Sequence, residues 1–480
     1  MTRRTWVRLD NASNIFLAAR SDADPKVFRI SAEVDHEVDP QLLQAALDET
    51  YDRYRLYHAV LRRGVFWYYL QDSDLHPIVT AEQQHTCAPL YQADRRSLLF
   101  RVVHHQQRII LEIFHALSDG TGALWFLSDL VTAYTRLRYP AQVRPLEGAG
   151  EAADSQPGPG GDTGSGQEPA ETAHELTVDS FAHYFRRRRH EAPASGSAFS
   201  RAAVPAPLTV GDHDQSSSGA PSGIGRARQP PGKRVHRVRG TRTPDNRPRV
   251  VELTMPAGDV LALARAEGVS LTMYLTALFF EAIRLSSGGL GRARTLAASV
   301  PVNLRRSFPS TSARNFFATV RVEHTYGEGA DDLGTICRQL ESRFRPKAAP
   351  EALEQKLGGF IRFERTPLLR IVPRPLKDVI LRTINWGSNR GLSVAVSNLG
   401  RVSLPEPADS HVGRMLFHVS AVRPQFCVMS HAGLLTISFT SPYTETGHVR
   451  EFARMLTASG IDVTAAAARV TEEELAERQP

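Results

Sequence analysis

The stretch from Arg108 to Leu130, RIILEIFHALSDGTGALWFLSDL, decides how this chain is organised. The residues before His115 are mostly apolar and rich in β-branched side chains, which indicates a buried strand. After Asp119-Gly120 the apolar side chains recur every three or four positions, as they do on one face of a helix. A histidine is thereby presented on a strand-to-helix loop, where its imidazole can take a proton from an alcohol, an amine or a thiol.

The segments on either side of this stretch predict a mixed fold of the α/β class, with sheets and helices in layers (α+β layered). Leu98 to His104 forms a hairpin with Arg108 to Phe114, and Val27 to Val34 is a strand that leads into a helix capped by Asp39. The aromatic run Val65 to Leu70 predicts a strand that is buried on both faces or that leads into a hydrophobic channel. Further strands are predicted at 249–254, 295–302, 316–324, 392–398, 415–421, 425–430 and 434–439, with helices beginning at Pro256 and after Ser270 and others over 331–344, 376–385 and 447–456.

A length of 480 residues predicts two or three domains, and changes of composition place their boundaries. Two segments rich in Gly, Pro and Ser cannot bury enough apolar surface to order themselves. The predicted division is an N-terminal domain (1–142), a disordered linker (143–173), a short helix that docks on the N-terminal domain (174–190), a disordered basic linker (191–233), a C-terminal domain (234–466) and a polar tail (467–480).

The net charge of +7 is concentrated in one region. Between Arg186 and Arg249 there are 14 basic and 4 acidic residues, so the rest of the chain is slightly acidic. This clustering in linkers argues against a nucleic-acid or membrane-surface binder as the primary function. The cysteines Cys87, Cys337 and Cys427 lack the spacing of a disulfide framework or a metal site and are predicted to be buried thiols. Because the sequence shows neither a signal-peptide pattern nor a long apolar run, a cytoplasmic location is expected.

The loop HALSDG fits the pattern HxxxDG, and each fixed residue has a chemical use. His115 is the candidate general base, and Asp119 is better placed to hold the loop than to touch a substrate. Gly120 and Gly122 allow a tight turn and a close approach of the backbone. No serine or cysteine nucleophile signature accompanies the loop, which favours direct transfer without a covalent intermediate. The alternative is a histidine that merely closes a strand by hydrogen bonding to its neighbours.

Four segments of the sequence resemble the HxxxDG acyltransferase superfamily. They are WVRLDNASNIF with the downstream FWYYL, the HALSDG loop, SVPVNLRR at Ser299 to Arg306, and VSNLGRV at Val396 to Val402. This superfamily includes chloramphenicol acetyltransferase, the condensation domains of peptide synthetases and the wax ester synthases. The sequence is most similar in character to the bacterial alcohol acetyltransferase-like proteins. The resemblance covers roughly 5–137 and 234–456, which is nearly all of the sequence expected to be ordered.

The resemblance implies two chloramphenicol acetyltransferase-like domains side by side, with His115 in a tunnel between them. It pairs Asp119 with Arg305, or as a second choice with Arg306. It also places a group of polar side chains near the reacting carbonyl, where a hydroxyl or amide could stabilise an oxyanion. These candidates for the oxyanion site or the tunnel are Ser397, Asn398, Asn303 and Asn315. Asn-Leu-Gly at 398–400 also fits an ordinary turn.

The predicted function is transfer of an acyl group from a thioester to a hydroxyl or amine acceptor. The resemblance implies acyl-CoA or an acyl carrier protein thioester as co-substrate, with no permanently bound cofactor and no metal. The DFGWG segment of plant members is absent and the chain reads FTSPYTE instead, so that motif does not support coenzyme A. The expected partners are a small alcohol or amine, an acyl carrier protein and a peripheral membrane contact, for a monomeric protein that does not bind nucleic acid. The basic segment Arg186 to Arg189 has two interpretations. It either attracts the phosphates of coenzyme A, a carrier protein, an anionic lipid or nucleic acid, or it is a solvated, disordered tract. The alternative is a non-catalytic, condensation-like module that binds a carrier protein or a small ligand.

Overall fold

A computed structural model describes residues 6–9, 11–142, 234–243, 246–364 and 372–468. The predicted linkers, the short helix 174–190 and all but the first two residues of the predicted tail lie outside the described residues. The strands are β1 (Trp6–Arg8), β2 (Val27–Val34), β3 (Ala59–Arg63), β4 (Tyr68–Asp72), β5 (Thr80–Ala81), β6 (Phe100–His105), β7 (Arg108–Phe114), β8 (Arg249–Pro256), β9 (Thr295–Asn303), β10 (Phe317–Thr325), β11 (Val394–Arg401), β12 (Val412–Val419), β13 (Gln425–His431), β14 (Leu434–Ser441) and β15 (Thr464–Ala467). The helices are α1 (Asn11–Ala19), α2 (Pro40–Arg53), α3 (Gly120–Arg138), α4 (Ala257–Ala266), α5 (Leu271–Ser286), α6 (Leu333–Ala348), α7 (Pro350–Glu364), α8 (Arg374–Arg390), α9 (Ala408–His411) and α10 (Gly447–Ala458).

The strand before His115 lies inside a five-stranded sheet with the order β12-β2-β7-β6-β5. The predicted hairpin is confirmed, because β6 and β7 pair antiparallel and β2 pairs with the other edge of β7. Helices α2 and α3 pack on each other, and α3 also contacts β2 and β7. Asp39 caps α2 as predicted, since its carboxylate accepts hydrogen bonds from the backbone N–H groups of Gln41 and Leu42. The sequence around the histidine therefore forms the predicted local structure.

A seven-stranded sheet with the order β10-β9-β11-β13-β14-β8-β15 forms the second layer. Helix α5 packs against α6 and α10 beside this sheet, and Ser270 caps it by accepting a hydrogen bond from the Met273 N–H. Ten of its residues are buried, as its apolar character on all sides predicts. The predicted α/β layered fold is confirmed.

Strand β12 departs from the predicted domain division. It lies within the range 234–466, yet it pairs antiparallel with β2 and completes the five-stranded sheet, with Phe417 opposite Ile30. Side chains of β14 also reach it, because the Thr436 and Thr440 hydroxyls donate to carbonyl groups of β12. The predicted C-terminal range 234–466 therefore contributes one strand to the sheet that carries the histidine loop. The physical reason is that β2 would otherwise present an unpaired edge.

The aromatic run at 65–70 does not form the predicted continuous buried strand. Only Tyr68–Asp72 form β4, in a small sheet with the order β1-β4-β3. The Gly64 N–H donates to the Trp67 carbonyl at 2.8 Å, which closes a tight turn. Val65 and Phe66 are consequently the tip of a hairpin and are 72% and 42% exposed.

Three further observations concern the cysteines, the groups that could bind a metal and the helices that could span a membrane. The cysteines Cys87, Cys337 and Cys427 are buried and form no disulfide, as predicted. Within the ranges described, no group of three or more His, Cys, Asp or Glu side chains is arranged to hold a metal ion. In the same ranges no single helix is long and apolar enough to cross a bilayer, and α4 with α5 passes that test only as a pair bent by 85°.

Candidate active site

His115 follows the last residue of β7 and is held in an aromatic setting. Its backbone N–H donates to the Lys26 carbonyl at 2.8 Å. The imidazole stacks on the Phe16 ring with 3.9 Å between the ring centroids, and the Phe28 ring meets it edge-on at 5.0 Å. Burial of the imidazole lowers the pKa of His115 to about 4. The ring is therefore neutral at neutral pH, which is the state that a base requires.

Asn315 fixes the tautomer of that neutral ring. Its amide nitrogen donates to the His115 carbonyl at 2.8 Å and to the Ser13 hydroxyl at 2.9 Å. Because a carbonyl can only accept, the nitrogen of the amide must be on this side and Oδ1 must face the ring. Oδ1 lies 3.2 Å from His115 Nδ1, so Nδ1 carries the proton that it donates. The other ring nitrogen, Nε2, is thereby unprotonated and carries the lone pair.

Asp119 ties the loop to a distant segment of the chain. One carboxylate oxygen accepts from the Gly122 N–H at 2.9 Å and caps α3. The other accepts from the Phe316 N–H at 2.8 Å and from Arg305 Nη1 at 2.7 Å. Arg305 also donates to the Ser312 and Arg314 carbonyls, whereas Arg306, the second choice in the sequence, is exposed. The ion pair therefore holds residues 312–316, and with them Asn315, against the histidine loop.

Two glycines permit this close packing. A Cβ added at Gly122 would lie 2.2 Å from the Ala313 carbonyl oxygen and 2.6 Å from the Ser118 hydroxyl. That hydroxyl itself donates to the Ala313 carbonyl at 2.6 Å. A Cβ at Gly120 would lie 2.7 Å from a methyl group of Leu399. The start of α3 thus contacts both the 312–316 segment and the end of β11, and only glycine fits at these two positions without a shift of its neighbours.

Asn303 forms a further link between the two halves of the chain. Its side-chain oxygen accepts from the Arg305 N–H at 3.0 Å and so begins the 3-10 turn Leu304–Arg306. Its amide nitrogen donates to the Thr121 hydroxyl at 3.1 Å, within the first turn of α3. The observed contacts of Asn303 position the Arg305 segment, and they include no contact with His115.

Ser397 and Asn398 lie on β11, where Asn398 begins a β-bulge. Its oxygen accepts from the Gly400 N–H at 2.7 Å, and its nitrogen donates to the Thr272 hydroxyl at 3.0 Å. Gly400 has a φ of +81°, at a point where the pairing of β11 with β13 shifts register. Ser397 is half-buried opposite Cys427. Residues 398–400 thus form a bulge within β11 and not the ordinary turn that Asn-Leu-Gly also fits, and an oxyanion role for either side chain stays a prediction.

Helix α1 supplies two site residues that the sequence pattern does not single out. Ser13 is fully buried and accepts from Asn315, while Phe16 forms the stacking surface for His115. The segment WVRLDNASNIF carries part of the resemblance, but nothing local in it marks a serine that supports an asparagine 302 residues away. Their importance follows only from where α1 packs.

Comparisons with known proteins place this geometry in a known fold. No family model matches the sequence. No curated protein matches it either. Among solved structures, polyketide synthase associated protein 5 from Mycobacterium tuberculosis is 15% identical with a TM-score of 0.55, covering 95% of this chain and 98% of its own. The trichothecene 15-O-acetyltransferase from Fusarium sporotrichioides is 12% identical with a TM-score of 0.55, covering 95% and 94%.

A condensation domain gives the same result. The starter condensation domain of rhizomide synthetase, solved as a mutant with C8-CoA and Leu-SNAC, is 12% identical with a TM-score of 0.52, covering 95% of this chain and 94% of its own. These likenesses span almost the whole chain although few residues are identical. The chain therefore has the fold of the chloramphenicol acetyltransferase-like and condensation-domain acyltransferases.

Proposed function

We propose that this protein is an acyltransferase that moves an acyl group from a thioester to a hydroxyl or amine. The observation that carries the proposal is the contact of Asn315 Oδ1 with His115 Nδ1, because it holds the proton on Nδ1 and leaves Nε2 to act as the base. A neutral, oriented imidazole is the group that abstracts a proton from an alcohol or amine. A histidine that served only to close its strand would not need a buried amide to define its tautomer.

The reaction follows from these positions. Nε2 of His115 takes the proton of the acceptor while the acceptor oxygen or nitrogen attacks the thioester carbonyl. The resulting tetrahedral oxyanion collapses, the carbon–sulfur bond breaks, and the thiolate takes the proton back from the imidazolium. The new ester or amide and the free thiol then leave, without an acyl-enzyme intermediate. Because burial lowers the pKa of His115 to about 4, its imidazolium is a stronger acid than an ordinary imidazolium and returns its proton readily.

The remaining predicted site residues have supporting roles in this scheme. Asp119, Gly120 and Arg305 anchor the loop that carries the base. Ser397 and Asn398 are our candidates for stabilising the oxyanion, where one donor is typically worth about 3 kcal/mol. Acyl-CoA or an acyl carrier protein is the proposed donor. The rhizomide synthetase domain with bound C8-CoA supports a thioester in this fold.

A thiol-release assay tests the proposal. The purified full chain is given acetyl-CoA, octanoyl-CoA and the corresponding N-acetylcysteamine thioesters, each with a panel of alcohols and amines. We expect thiol release that depends on the acceptor and that His115→Ala reduces by about 10²-fold to 10⁴-fold. The control is His448→Ala, because His448 on α10 is also a buried histidine whose pKa is lowered to about 4.

Two results would contradict the proposal. Equal release by wild type and His115→Ala would remove His115 from the chemistry. If no thioester gave acceptor-dependent release, the non-catalytic binding module would become the better description, and binding of the same thioesters to wild-type protein would then be measured directly.

A further inference from the structure

Helix α8 exposes its apolar side chains to solvent, which is unusual for a helix of a globular protein. Leu376, Val379, Ile380 and Trp386 are 52%, 57%, 37% and 58% exposed. Their spacing of three, one and six residues places them on one face of the helix. None of the residues of α8 is buried. Surface helices normally turn such a stripe towards the core. The part of the chain that the structure describes therefore leaves this apolar face uncovered.

The opposite side of α8 holds the helix in place through polar contacts. The helix packs against α1, where Arg382 Nε donates to the Ala18 carbonyl at 3.5 Å. Asp378 accepts from the Tyr68 hydroxyl at 2.8 Å, and Lys377 Nζ lies 3.4 Å from the centroid of the Trp67 ring. These contacts fix which face points outward.

The hairpin tip at 64–67 packs on the first turn of α8. The Arg374 N–H donates to the Val65 carbonyl at 3.0 Å, and Lys377 Nζ donates to the Phe66 carbonyl at 3.2 Å. Val65 and Phe66 are themselves exposed beside the start of the helix. We call the exposed apolar face of the helix the α8 patch: Leu376, Val379, Ile380 and Trp386.

The charges around the α8 patch indicate what it contacts. Helix α8 carries four basic residues and one acidic residue, Asp378, which is bound to Tyr68. Two of the basic residues, Arg374 and Lys377, donate to carbonyl groups of the 64–67 hairpin, and the other two, Arg382 and Arg390, are exposed. The Arg390 guanidinium lies 3.9 Å from the centroid of the Trp386 ring, at the exposed end of the stripe. An isologous contact with a second copy would bring two such positive helices together. An apolar stripe with tryptophan and flanking cations instead suits the headgroup region of a bilayer that contains anionic lipids.

We propose that the α8 patch is a docking surface for an anionic membrane. Leu376, Val379, Ile380 and Trp386 would enter the boundary between headgroups and acyl chains, and the exposed Arg382 and Arg390 would contact lipid phosphates. The surface is close to the proposed catalytic base, since α8 packs on α1 and Phe16 of α1 stacks on His115. Docking would bring the region around His115 to the lipid surface. The docking proposal stands independently of the catalytic one.

Vesicle flotation tests the proposal. The full chain is mixed with vesicles of phosphatidylcholine alone or of phosphatidylcholine with phosphatidylglycerol. The variant Val379→Glu/Ile380→Glu puts two carboxylates on the α8 patch. The control Ile78→Glu/Leu285→Glu makes the same charge change at apolar residues that are 74% and 45% exposed on other elements. We expect wild type and control to float with anionic vesicles, and the patch variant to lose about tenfold or more in partitioning.

A second readout is independent of the double variant and of its folding. Brominated lipids quench tryptophan at the depth of the acyl chains, so wild-type fluorescence should fall on binding, and Trp386→Phe should remove part of that quenching. Absence of wild-type binding to anionic vesicles would overturn the proposal. Equal binding by the patch variant, with loss of binding on deletion of 186–189, would assign membrane contact to the basic segment instead. A wild-type dimer that the patch variant dissociates without lipid would assign the patch to self-association.

Discussion

Replacing Asn315 by aspartate gives the sharpest test of how the site is built. The change keeps the size of the side chain and an oxygen beside Nδ1, so the tautomer is retained. It also puts a negative charge about 3.2 Å from the imidazole. An opposite charge at this distance favours the imidazolium, which raises the pKa of His115. Activity at acidic pH should therefore fall, because the neutral imidazole that acts as the base forms only at a higher pH.

The size of the effect follows from the distance. Coulomb's law with an effective dielectric constant of about 20 gives roughly 5 kcal/mol at 3.2 Å, an upper bound of nearly 4 pKa units. Measured effects of adjacent opposite charges are about 1 to 3 units. Starting from a pKa of about 4 for His115, we expect the acid limb to move to about pH 5–7. The plateau should also fall severalfold, because an oxygen replaces the nitrogen that donates to the His115 carbonyl.

The assay is the pH dependence of kcat/KM for acceptor-dependent thiol release. Asn246→Asp makes the same amide-to-carboxylate change at an exposed position and should leave the acid limb in place. Asn315→Ala should lower the plateau without moving the limb upward, because it removes the hydrogen bonds and adds no charge. An unchanged limb in Asn315→Asp, with the plateau intact, would show that Asn315 does not act on the catalytic base.

Three further predictions concern the loop and its anchors. Arg305→Ala should lower the free energy of unfolding, measured by urea titration, by about 3 to 5 kcal/mol, because the buried carboxylate of Asp119 loses its counter-charge. An unchanged stability would refute the anchoring role. Gly122→Ala should lower the midpoint of thermal unfolding, because its Cβ would overlap the Ala313 carbonyl. The control Gly258→Ala has open space around the new Cβ and should raise helix stability by about 0.5 to 1 kcal/mol. Lowering the pH from 6.5, the ordinary pKa of histidine, to about 4 should destabilise the fold by on the order of 3 kcal/mol in total. In this pH range His115 binds a proton in the unfolded chain but not in the folded protein. His115→Ala should remove that part of the pH dependence of urea unfolding.

The sequence by itself determined the local structure around the histidine. The apolar strand, the loop and the helix after Asp119 depend on residues within a few positions of each other, as do the caps at Asp39 and Ser270. Periodicity and capping are local properties, so they can be predicted directly from the sequence. The pairing of Asp119 with Arg305 came from the resemblance, because no local rule links residues 186 positions apart.

Only the tertiary structure decided what surrounds the base. Asn315 reaches His115 across 200 residues of sequence and is supported by Ser13 across 302, and an asparagine in a loop has the same local pattern whether it closes a turn or orients an imidazole. The alternation of β12 predicts a strand but does not specify that its partner is β2. The periodicity of α8 predicts an amphipathic helix but does not specify which face is covered, because burial depends on the element packed against a helix and not on the helix itself.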